Sequence, residues 1–254
     1  MIPKKHRRSP HTAALPKTHP RYHSLSERHA LEAGVKKGIT HMQGLIAHGR
    51  GEAFDYLIGE KTTKEAQKAI RAASALLLSA KHAVISVNGN VAALSAKDIA
   101  KLANATRAKV EVNLFYRSEK RMRAIAKELK KYGVNAIISA NKKIPKLASK
   151  RAKVASSGIW GADVVLVPLE DGDRTEALRA MGKKVIAVDL NPLSRTARKA
   201  SITIVDNITR ALPLMAREAA KLRKLSNAKL RRIPRFFNNK RNLKQSVQMI
   251  RRGV

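Results

Sequence analysis

The feature that most constrains the fold is the alternation of short apolar runs with amphipathic stretches. The runs are rich in Val and Ile, as buried strands are, and they cover 83–87, 109–114, 134–139, 163–167, 185–188 and 202–205. Stretches with apolar residues at helical spacing separate most of them. Because strands that alternate with helices form parallel sheets, we predict an α/β fold with a mostly parallel sheet of about six strands. Helices flank this sheet, and an N-terminal helical segment precedes it.

Charge divides the chain into three parts. The 254 residues carry a net charge of +35, and neither residues 1–23, with six Lys or Arg, nor residues 221–254, with twelve, hold any acid. We therefore predict a basic flexible arm at 1–18, a folded domain at 19–222 and a basic tail at 223–254. The tail either forms a short helix or stays loose. The excess charge is either a solvated surface or an attraction for polyanions such as nucleic acid.

Several classes of function are excluded by what the sequence lacks. Without cysteine there is no disulfide, thiolate ligand or cysteine nucleophile, and we expect a cytoplasmic protein. No apolar run approaches the roughly 18 residues of a membrane span, so no membrane association is expected. Neither a phosphate-binding P-loop nor the nucleophile motif of serine hydrolases occurs. The eight histidines show no metal-ligand spacing.

Two neighbouring strand ends predict one wall of a ligand site. The run 185–188 ends at Asp189, with Leu190, Asn191 and a proline after it, and the run 202–205 ends just before Asn207. In a parallel sheet these ends meet at one edge, where ligands bind. Ser194 is placed to cap a short helix that begins with Arg195. The stretch therefore predicts a site for an anionic, polar ligand.

Arg50 lies between two glycines, and its setting has two interpretations. Gly49 and Gly51 allow a left-handed backbone that approaches a ligand closely, with the guanidinium gripping a phosphate or carboxylate. Alternatively, Arg50 is a solvated residue at a helix–loop junction.

Further polar residues follow the earlier strands. Asn88, Gly89 and Asn90 follow the run 83–87 and have the local form of a ligand-binding turn before a helix. Arg117 stands beyond the end of the next run.

An acidic turn follows the strand 163–167. Glu170, Asp171, Asp173 and Glu176 converge there in a chain that is poor in acids. They either complement the N-terminus of the next helix or bind Mg²⁺ or a cationic amine.

Five long segments resemble one known family. They are HGRGEAFDYLIGE at 48–60, VISVNGNVAAL at 84–94, VNLFYR at 112–117, GIWGADVVLVPLEDGDRTEAL at 158–178 and DLNPLSRTAR at 189–198. In this order they closely resemble archaeal phosphopantothenate synthetase, the 4-phosphopantoate–β-alanine ligase. The resemblance implies a Rossmann-like core, a homodimer and a step of coenzyme A synthesis. In that step ATP drives the condensation of 4-phosphopantoate with β-alanine, through a pantoyl-adenylate, to give 4′-phosphopantothenate, AMP and diphosphate.

The resemblance also implies roles for individual residues. ATP contacts are expected at Arg28, Arg50, Asp189, Leu190, Asn191, Arg195, Thr196, Asn207 and Ile208. From the chemistry of that step, we expect Arg50 and Arg195, with Mg²⁺, to stabilise charge during adenylation, and Asp171 or Asp173 to orient the β-alanine amine or hold Mg²⁺. Strand-end position, rather than the resemblance, makes the start of the helix after Asn88, Gly89 and Asn90, or alternatively Arg117, the expected site of the substrate phosphate.

Two other functions and one interface remain open. The positive charge is compatible with a nucleic-acid-binding protein of the same fold. The predicted sheet is also compatible with a different transferase that uses a nucleotide. Residues 24–57 are the candidate dimer interface, because they precede the sheet and need a surface to pack against.

Overall fold

A computed structural model describes residues 15–253. The predicted basic arm therefore lies mostly outside the described residues. The helices are α1 (Tyr22–Lys36), α2 (Met42–Leu57), α3 (Lys64–Ser79), α4 (Gly89–Thr106), α5 (Glu119–Lys130), α6 (Gly172–Ala180), α7 (Arg195–Lys199), α8 (Ile208–Leu222), α9 (Asn227–Arg235) and α10 (Asn239–Arg252). The strands are β1 (Ala83–Val87), β2 (Lys109–Val112), β3 (Lys142–Lys143), β4 (Lys153–Val154), β5 (Val164–Pro168), β6 (Lys184–Val188) and β7 (Ile202–Ile204).

The main sheet confirms the predicted fold class. It has five strands in the order β2-β1-β5-β6-β7, and all neighbours are parallel. This is the order of a doubly wound α/β sheet, in which the chain reverses its direction of winding between β1 and β5. The carboxyl ends of these two strands therefore flank the crevice where such folds bind ligands.

Alternate residues of each strand build two hydrophobic cores. On one face Ile85, Leu166 and Ile186 pack with apolar residues of α3, α4, α5 and α8. On the other face Val165 and Val185 pack with α6 and with the connector between residues 144 and 162. Because both faces are covered, the strands have to be apolar throughout, which is why they were recognisable in the sequence.

The predicted strand at 134–139 was wrong. Only Ile137 pairs with the edge strand β2, through hydrogen bonds to Val110 and Val112, and its partner residue in the ladder is Glu111. The chain leaves the sheet immediately afterwards, because the carbonyl of Ile138 accepts a hydrogen bond from a side chain instead. Ile137 lies outside the edge strand β2, so β2 is the one strand of the sheet with which it can pair. The sheet thus has five strands and one bridge in place of about six strands.

Neither interpretation describes the backbone around Arg50, which forms neither a left-handed turn nor a helix–loop junction. Both glycines and Arg50 lie inside α2, and neither glycine has a positive φ. The helix begins at the N-cap His41, whose side chain accepts a hydrogen bond from the Gln43 backbone N–H over 3.2 Å. Arg50 is therefore presented by a regular helix.

The C-terminal segment is helical, which was one of the two alternatives for it. Leu230 of α9 packs with Ala75 of α3 and Leu222 of α8. At the exposed edge of the sheet, Asn239 of α10 accepts a hydrogen bond from the Thr203 backbone N–H over 2.8 Å. Because an open strand edge is prone to pair with other chains, α10 also protects β7.

No helix within residues 15–253 is long and apolar enough to cross a membrane. The proposed division of the chain at residues 18 and 222 stays a prediction.

Candidate active site

A cavity of about 580 Å³ opens at the carboxyl edge of the sheet. Its walls come from residues after β1, β5, β6 and β7, from α2, and from the segment between β2 and α5. The predicted site residues that line it are Arg50, Asn88, Gly89, Asn90, Asp171, Asp189, Leu190, Asn191, Asn207 and Ile208. The structure therefore brings together the strand-end wall, the polar turn after β1 and Arg50.

Two long helices begin at this cavity. Asn88 caps α4 by accepting a hydrogen bond from Val91 N–H over 3.1 Å, and its amide donates to the Leu169 carbonyl over 2.9 Å. Asn207 caps α8 by accepting from Thr209 N–H over 3.1 Å. Because a helix N-terminus carries partial positive charge and free N–H groups, this pair favours an anionic ligand.

Helix α2 forms the opposite wall and approaches α4 closely. Asn90 donates a hydrogen bond to the Gly44 carbonyl over 2.8 Å, and a Cβ added at Gly44 would lie 2.3 Å from Asn90 Oδ1. Only glycine permits this contact. Further along α2, Arg50 is exposed and borders the cavity.

A network of charged side chains ties α2 to the start of α8. Asp55 accepts from Asn207 Nδ2 over 2.9 Å and from Arg210 Nη1 over 3.1 Å. Arg210 also pairs with the fully buried Asp206 at 2.8 Å, and Asn207 donates to Glu27 of α1 over 3.1 Å. Burial raises the pKa of Asp206 even though Arg210 is adjacent. These contacts fix the position of the cavity wall that α1 and α2 provide.

Glu27 is held by a contact with α8 and not by a local capping box. Three residues after Ser24 it has the position of a capping-box residue, but its carboxylate accepts from Thr209 Oγ1 over 2.6 Å. Helix α1 begins at Tyr22 without a side-chain cap. A tertiary contact with α8 has replaced the local one.

Three charged side chains, which are buried or nearly buried, lie next to the cavity on the side of β5. The carboxylate of Glu170 pairs with Arg151 on one side and with Arg174 on the other. Arg174 also donates to Ser86 Oγ over 3.1 Å. Burial lowers the pKa of Arg151 and of Arg174 to about 10 each, so both remain cations at neutral pH. Arg151 reaches the cavity, where its Nε lies 3.5 Å from Asp171.

Glu111 holds the connector that carries Arg151. Its carboxylate is fully buried and accepts hydrogen bonds from Ala155 N–H over 3.2 Å and Ile159 N–H over 2.7 Å. Burial raises its pKa to about 6, against these two bonds and the charge of Arg174. A Cβ at Gly158 would lie 2.0 Å from Glu111 Oε2, so this turn accepts no side chain there.

Arg121 of α5 is a second cation beside the start of α4. It donates to the carbonyls of Tyr116 over 2.6 Å and Ile39 over 2.9 Å. A Cβ on Gly89 would lie 2.3 Å from the same Ile39 oxygen and 3.0 Å from Arg121 Nη2. Gly89 thus lets the guanidinium approach the α4 N-terminus. Burial lowers the pKa of Arg121.

Asp189 shapes the loop after β6. One of its oxygens accepts from Asn191 N–H over 2.9 Å, and the other accepts from the Ser194 hydroxyl. Ser194 caps α7 as predicted, by accepting from Ala197 N–H over 2.9 Å. Burial raises the pKa of Asp189 against these hydrogen bonds. Both carboxylate oxygens are engaged, so Asp189 holds the loop in place.

Several predicted residues do not line the cavity. Arg28 forms a two-point hydrogen bond with Glu52, at 3.2 and 2.8 Å. Arg117 donates to the Ile138 carbonyl over 2.8 Å. Asp173 accepts from the backbone N–H that follows it, in the first turn of α6.

Arg195 and Thr196 also lie outside the lining. Arg195 packs over Gly172, where a Cβ would lie 2.5 Å from the Arg195 Cβ, and its guanidinium pairs with Glu176. Thr196 is buried and donates to the Glu170 carbonyl over 2.8 Å.

Nothing in the sequence identified Arg121 and Arg151 as cations of the site. Arg121 belongs to an amphipathic helix, and the sequence pattern alone does not separate it from the basic residues that face solvent there. Arg151 stands in a connector with several other basic residues, and nothing local distinguishes it from them.

The described residues contain no group of three or more His, Cys, Asp or Glu that could hold a metal. Mg²⁺ that arrives with nucleotide phosphates needs only one or two carboxylates. Asp171 fits this role, since it is exposed at the cavity. Glu170 is occupied by two arginines.

A larger depression, of about 940 Å³, lies beside the start of the edge strand β2. It is lined by Lys97, Lys101 and Lys109 among others and contains none of the predicted site residues. The smaller cavity has the strand ends and the helix N-termini, so it is the functional candidate.

The fold and site define a Rossmann-like α/β protein with a cleft for anionic ligands. The sequence model described as phosphopantothenate/pantothenate synthetase matches residues 65–253. The 4-phosphopantoate–β-alanine ligase of Thermococcus kodakarensis is 56% identical over 240 residues, which cover 93% of this chain and 92% of that protein. The ligase of Methanosarcina mazei is 52% identical over 237 residues, covering 93% and 94%. The chain is therefore an enzyme of the phosphopantothenate/pantothenate synthetase family.

Proposed function

We propose that this enzyme uses ATP to condense 4-phosphopantoate with β-alanine, giving 4′-phosphopantothenate, AMP and diphosphate. The observation that carries the proposal is the cavity where the N-termini of α4 and α8 meet Arg50, Arg121 and Arg151. Both ATP and 4-phosphopantoate are polyanions, and both must be held together. The names of the relatives supply the identity of the substrates.

The nucleotide is assigned to the β6–β7 side of the cavity. Asn191 and the backbone at Asn207 and Ile208 border this side, and Asn207 N and Ile208 N belong to the α8 N-terminus. Arg50 stands across the cavity and has no ion pair among residues 15–253, so it is free to meet the phosphates. Arg195 and Arg28 would first have to leave Glu176 and Glu52.

The phosphate of 4-phosphopantoate is assigned to the start of α4. The N–H groups at Gly89 and Asn90 and the Arg121 guanidinium supply two kinds of positive charge there. Arg117, the other alternative from the sequence, donates its hydrogen bond to the Ile138 carbonyl.

The reaction needs two displacements. An oxygen of the pantoyl carboxylate attacks the α-phosphorus of ATP, the bond from phosphorus to the β-phosphate oxygen breaks, and diphosphate leaves. The β-alanine nitrogen then attacks the acyl carbon, the bond to AMP breaks, and the amine loses a proton. Arg50 and Arg151 stabilise the charge that gathers at the α-phosphate.

Asp171 is assigned to the amine or to the metal. Its carboxylate is exposed at the cavity, beside Arg151. It would orient the β-alanine amine and accept its proton, or hold Mg²⁺ with the ATP phosphates. Bound Mg²⁺ supplies neutralising charge at the phosphates. Asp173 does not border the cavity and accepts a hydrogen bond from Arg174 N–H, so it is the weaker choice.

A homodimer is proposed through α2. Met42, Ile46 and Leu57 are 60%, 62% and 48% exposed and follow one face of this helix. An apolar stripe of this length is typical of an interface, and Arg50 stands beside it. A cytoplasmic location is proposed with the reaction and stays a prediction.

The test is an assay of the purified enzyme with ATP, Mg²⁺, 4-phosphopantoate and β-alanine, in which AMP and the amide product are measured. Omitting β-alanine while following exchange of labelled diphosphate into ATP tests for the acyl-adenylate. We expect exchange that depends on 4-phosphopantoate. Release of ADP in place of AMP would replace the adenylate with an acyl phosphate, and absence of an amide product would overturn the function.

Arg50→Ala tests the site itself. Arg50 is exposed and unpaired among the described residues, so the variant should fold normally but lose at least 100-fold in kcat/KM. Arg123→Ala on the exposed face of α5 is the matched control and should retain activity. Equal activity of the two variants would move the nucleotide away from α2.

A further inference from the structure

The last two helices carry a dense positive charge that the ligase reaction does not use. Residues 221–254 hold twelve Lys or Arg and no acid. Lys221 lies 4.0 Å from Glu218, but from Arg223 to Arg252 every basic residue is exposed and none forms an ion pair with the described residues. Charge of this kind is costly unless a polyanion neutralises it.

This charge sits on a fixed platform. Leu230 anchors α9 against α3 and α8, and Asn239 binds α10 to the edge of β7 through Thr203 N–H and the carbonyls of Ala197 and Ala200, at 2.8 to 3.2 Å. A mobile basic tail would have no such anchors. The side chains are therefore displayed in a set arrangement.

On α9 the charges are sorted to one side. Leu230 and Ile233 face the core, while Arg231, Arg232 and Arg235 are exposed. Arg231 and Arg235 are neighbours on the helix surface, and such like-charged pairs oppose helix formation. Phe236 caps the helix and is 80% exposed, in a chain in which only 4% of residues are aromatic. We call Arg231, Arg232, Arg235 and Phe236 the C-terminal basic surface.

The C-terminal basic surface is remote from the candidate active site. Helix α8 begins at the cavity with Ile208, and its last residue, Leu222, packs with Leu230 of α9. Its 15 residues span about 22 Å at about 1.5 Å per residue. A ligand on this surface would therefore not enter the cavity.

We propose that the C-terminal basic surface binds single-stranded nucleic acid. Three guanidiniums on one helix face match the spaced phosphates of a strand and release counterions when they bind. An exposed aromatic ring beside them offers a face for stacking, which is available to unpaired bases and not to a closed duplex. The proposal is independent of the ligase function.

The experiment measures fluorescence anisotropy of a labelled oligouridylate of about 20 nucleotides between about 50 and 200 mM KCl, with the full-length enzyme. Arg231→Ala, Arg232→Ala and Arg235→Ala are combined. We expect at least a tenfold weaker Kd and a log–log salt slope smaller by about 2, since each phosphate contact on a single strand contributes about 0.7. Phe236→Ala should weaken binding at least fivefold without a change in slope.

The matched control removes the same charge elsewhere. Lys120, Arg123 and Lys127 are exposed on α5, and replacing all three by Ala should change Kd less than twofold. Equal losses in both triple variants would mean that net charge alone attracts the strand, and the proposal would fail. It would also fail if duplex of the same sequence or anionic phospholipid vesicles bound more tightly. The α9 triple variant should keep ligase activity.

Discussion

The side-chain amide of Asn207 donates a hydrogen bond to Asp55 over 2.9 Å, and this bond joins two residues that are 152 positions apart in the sequence. Asn207 also donates to Glu27 over 3.1 Å and caps α8. One amide therefore connects α1, α2 and α8 at the cavity wall. It follows that this residue, expected from the sequence to contact ATP, also assembles the site.

Substitutions at Asn207 should separate capping from charge. Asn207→Ala removes a cap and a hydrogen bond to a buried carboxylate, together about 2 kcal/mol of the free energy of unfolding. Asn207→Asp retains the cap but adds a third carboxylate next to Asp55 and Glu27. We expect Asn207→Asp to be less stable than Asn207→Ala at pH 7. The difference in their free energies of unfolding, measured with urea, should become smaller towards pH 4, where the carboxylates take up protons. Wild-type stability of Asn207→Asp at pH 7 would contradict the contacts described.

Two glycine substitutions should have opposite effects on stability, one in helix α2 and one in the tight turn at Gly158. Gly51→Ala should raise the free energy of unfolding by about 0.5–1 kcal/mol, because Gly51 is helical and an added Cβ would lie 3.6 Å from Leu190. Gly158→Ala should lower it by about 1–3 kcal/mol through overlap with Glu111. Thermal unfolding of both proteins measures this contrast. Destabilisation by Gly51→Ala would favour the left-handed turn.

The stability of the protein should depend on the ionisation of Glu111. Burial raises its pKa from 4.5 to about 6, so the folded state binds more protons than the unfolded state between these values. The contribution of protonated Glu111 to the free energy of unfolding is therefore complete below pH 4.5, and it is lost as pH rises through 6. A shift of this size is worth about 2 kcal/mol.

The measurement for Glu111 is the difference in free energy of unfolding between wild type and Glu111→Gln as a function of pH. The wild type should lose about 2 kcal/mol relative to this variant in total, as pH rises from well below 4.5 to well above 6. A flat difference would show that Glu111 titrates normally.

Arg121 and Arg117 should differ in their effect on substrate binding. Arg121→Ala should raise the KM for 4-phosphopantoate about tenfold or more, since a charged hydrogen bond to phosphate is worth about 1.5–3 kcal/mol. Arg121→Lys should restore part of the loss and serves as the folding control. Arg117→Ala should have a smaller effect, because Arg117 is held by Ile138 outside the cavity. The opposite order would return the phosphate to Arg117.

The exposed stripe on α2 should determine the oligomeric state. Ile46→Glu places a charge at the centre of the proposed interface and should yield a monomer by light scattering. Tyr132→Glu, at a residue that is 45% exposed after α5, is the matched control and should leave the mass unchanged. A monomeric wild type would remove the dimer proposal.

Local sequence pattern determined the five strands of the main sheet, most helices and the strand ends that border the cavity. These follow from short-range physics: β-branched runs buried on both faces, and polar residues such as Asp189 and Asn88 where each run stops. The parallel order then placed their ends on one edge. The family could be recognised for the same reason, since its motifs lie at these strand ends.

Only the tertiary structure decided which cations reach the ligand. Arg121 and Arg151 enter the cavity because α5 and the connector fold back over the sheet edge, while Arg117 turns to the Ile138 carbonyl. Spacing along the chain contains no record of such distances. Spacing was equally uninformative for Glu27. It has the local spacing of a capping residue, but it accepts a hydrogen bond from Thr209, which is far away in the sequence. Where local and long-range partners compete, packing of the whole domain makes the choice.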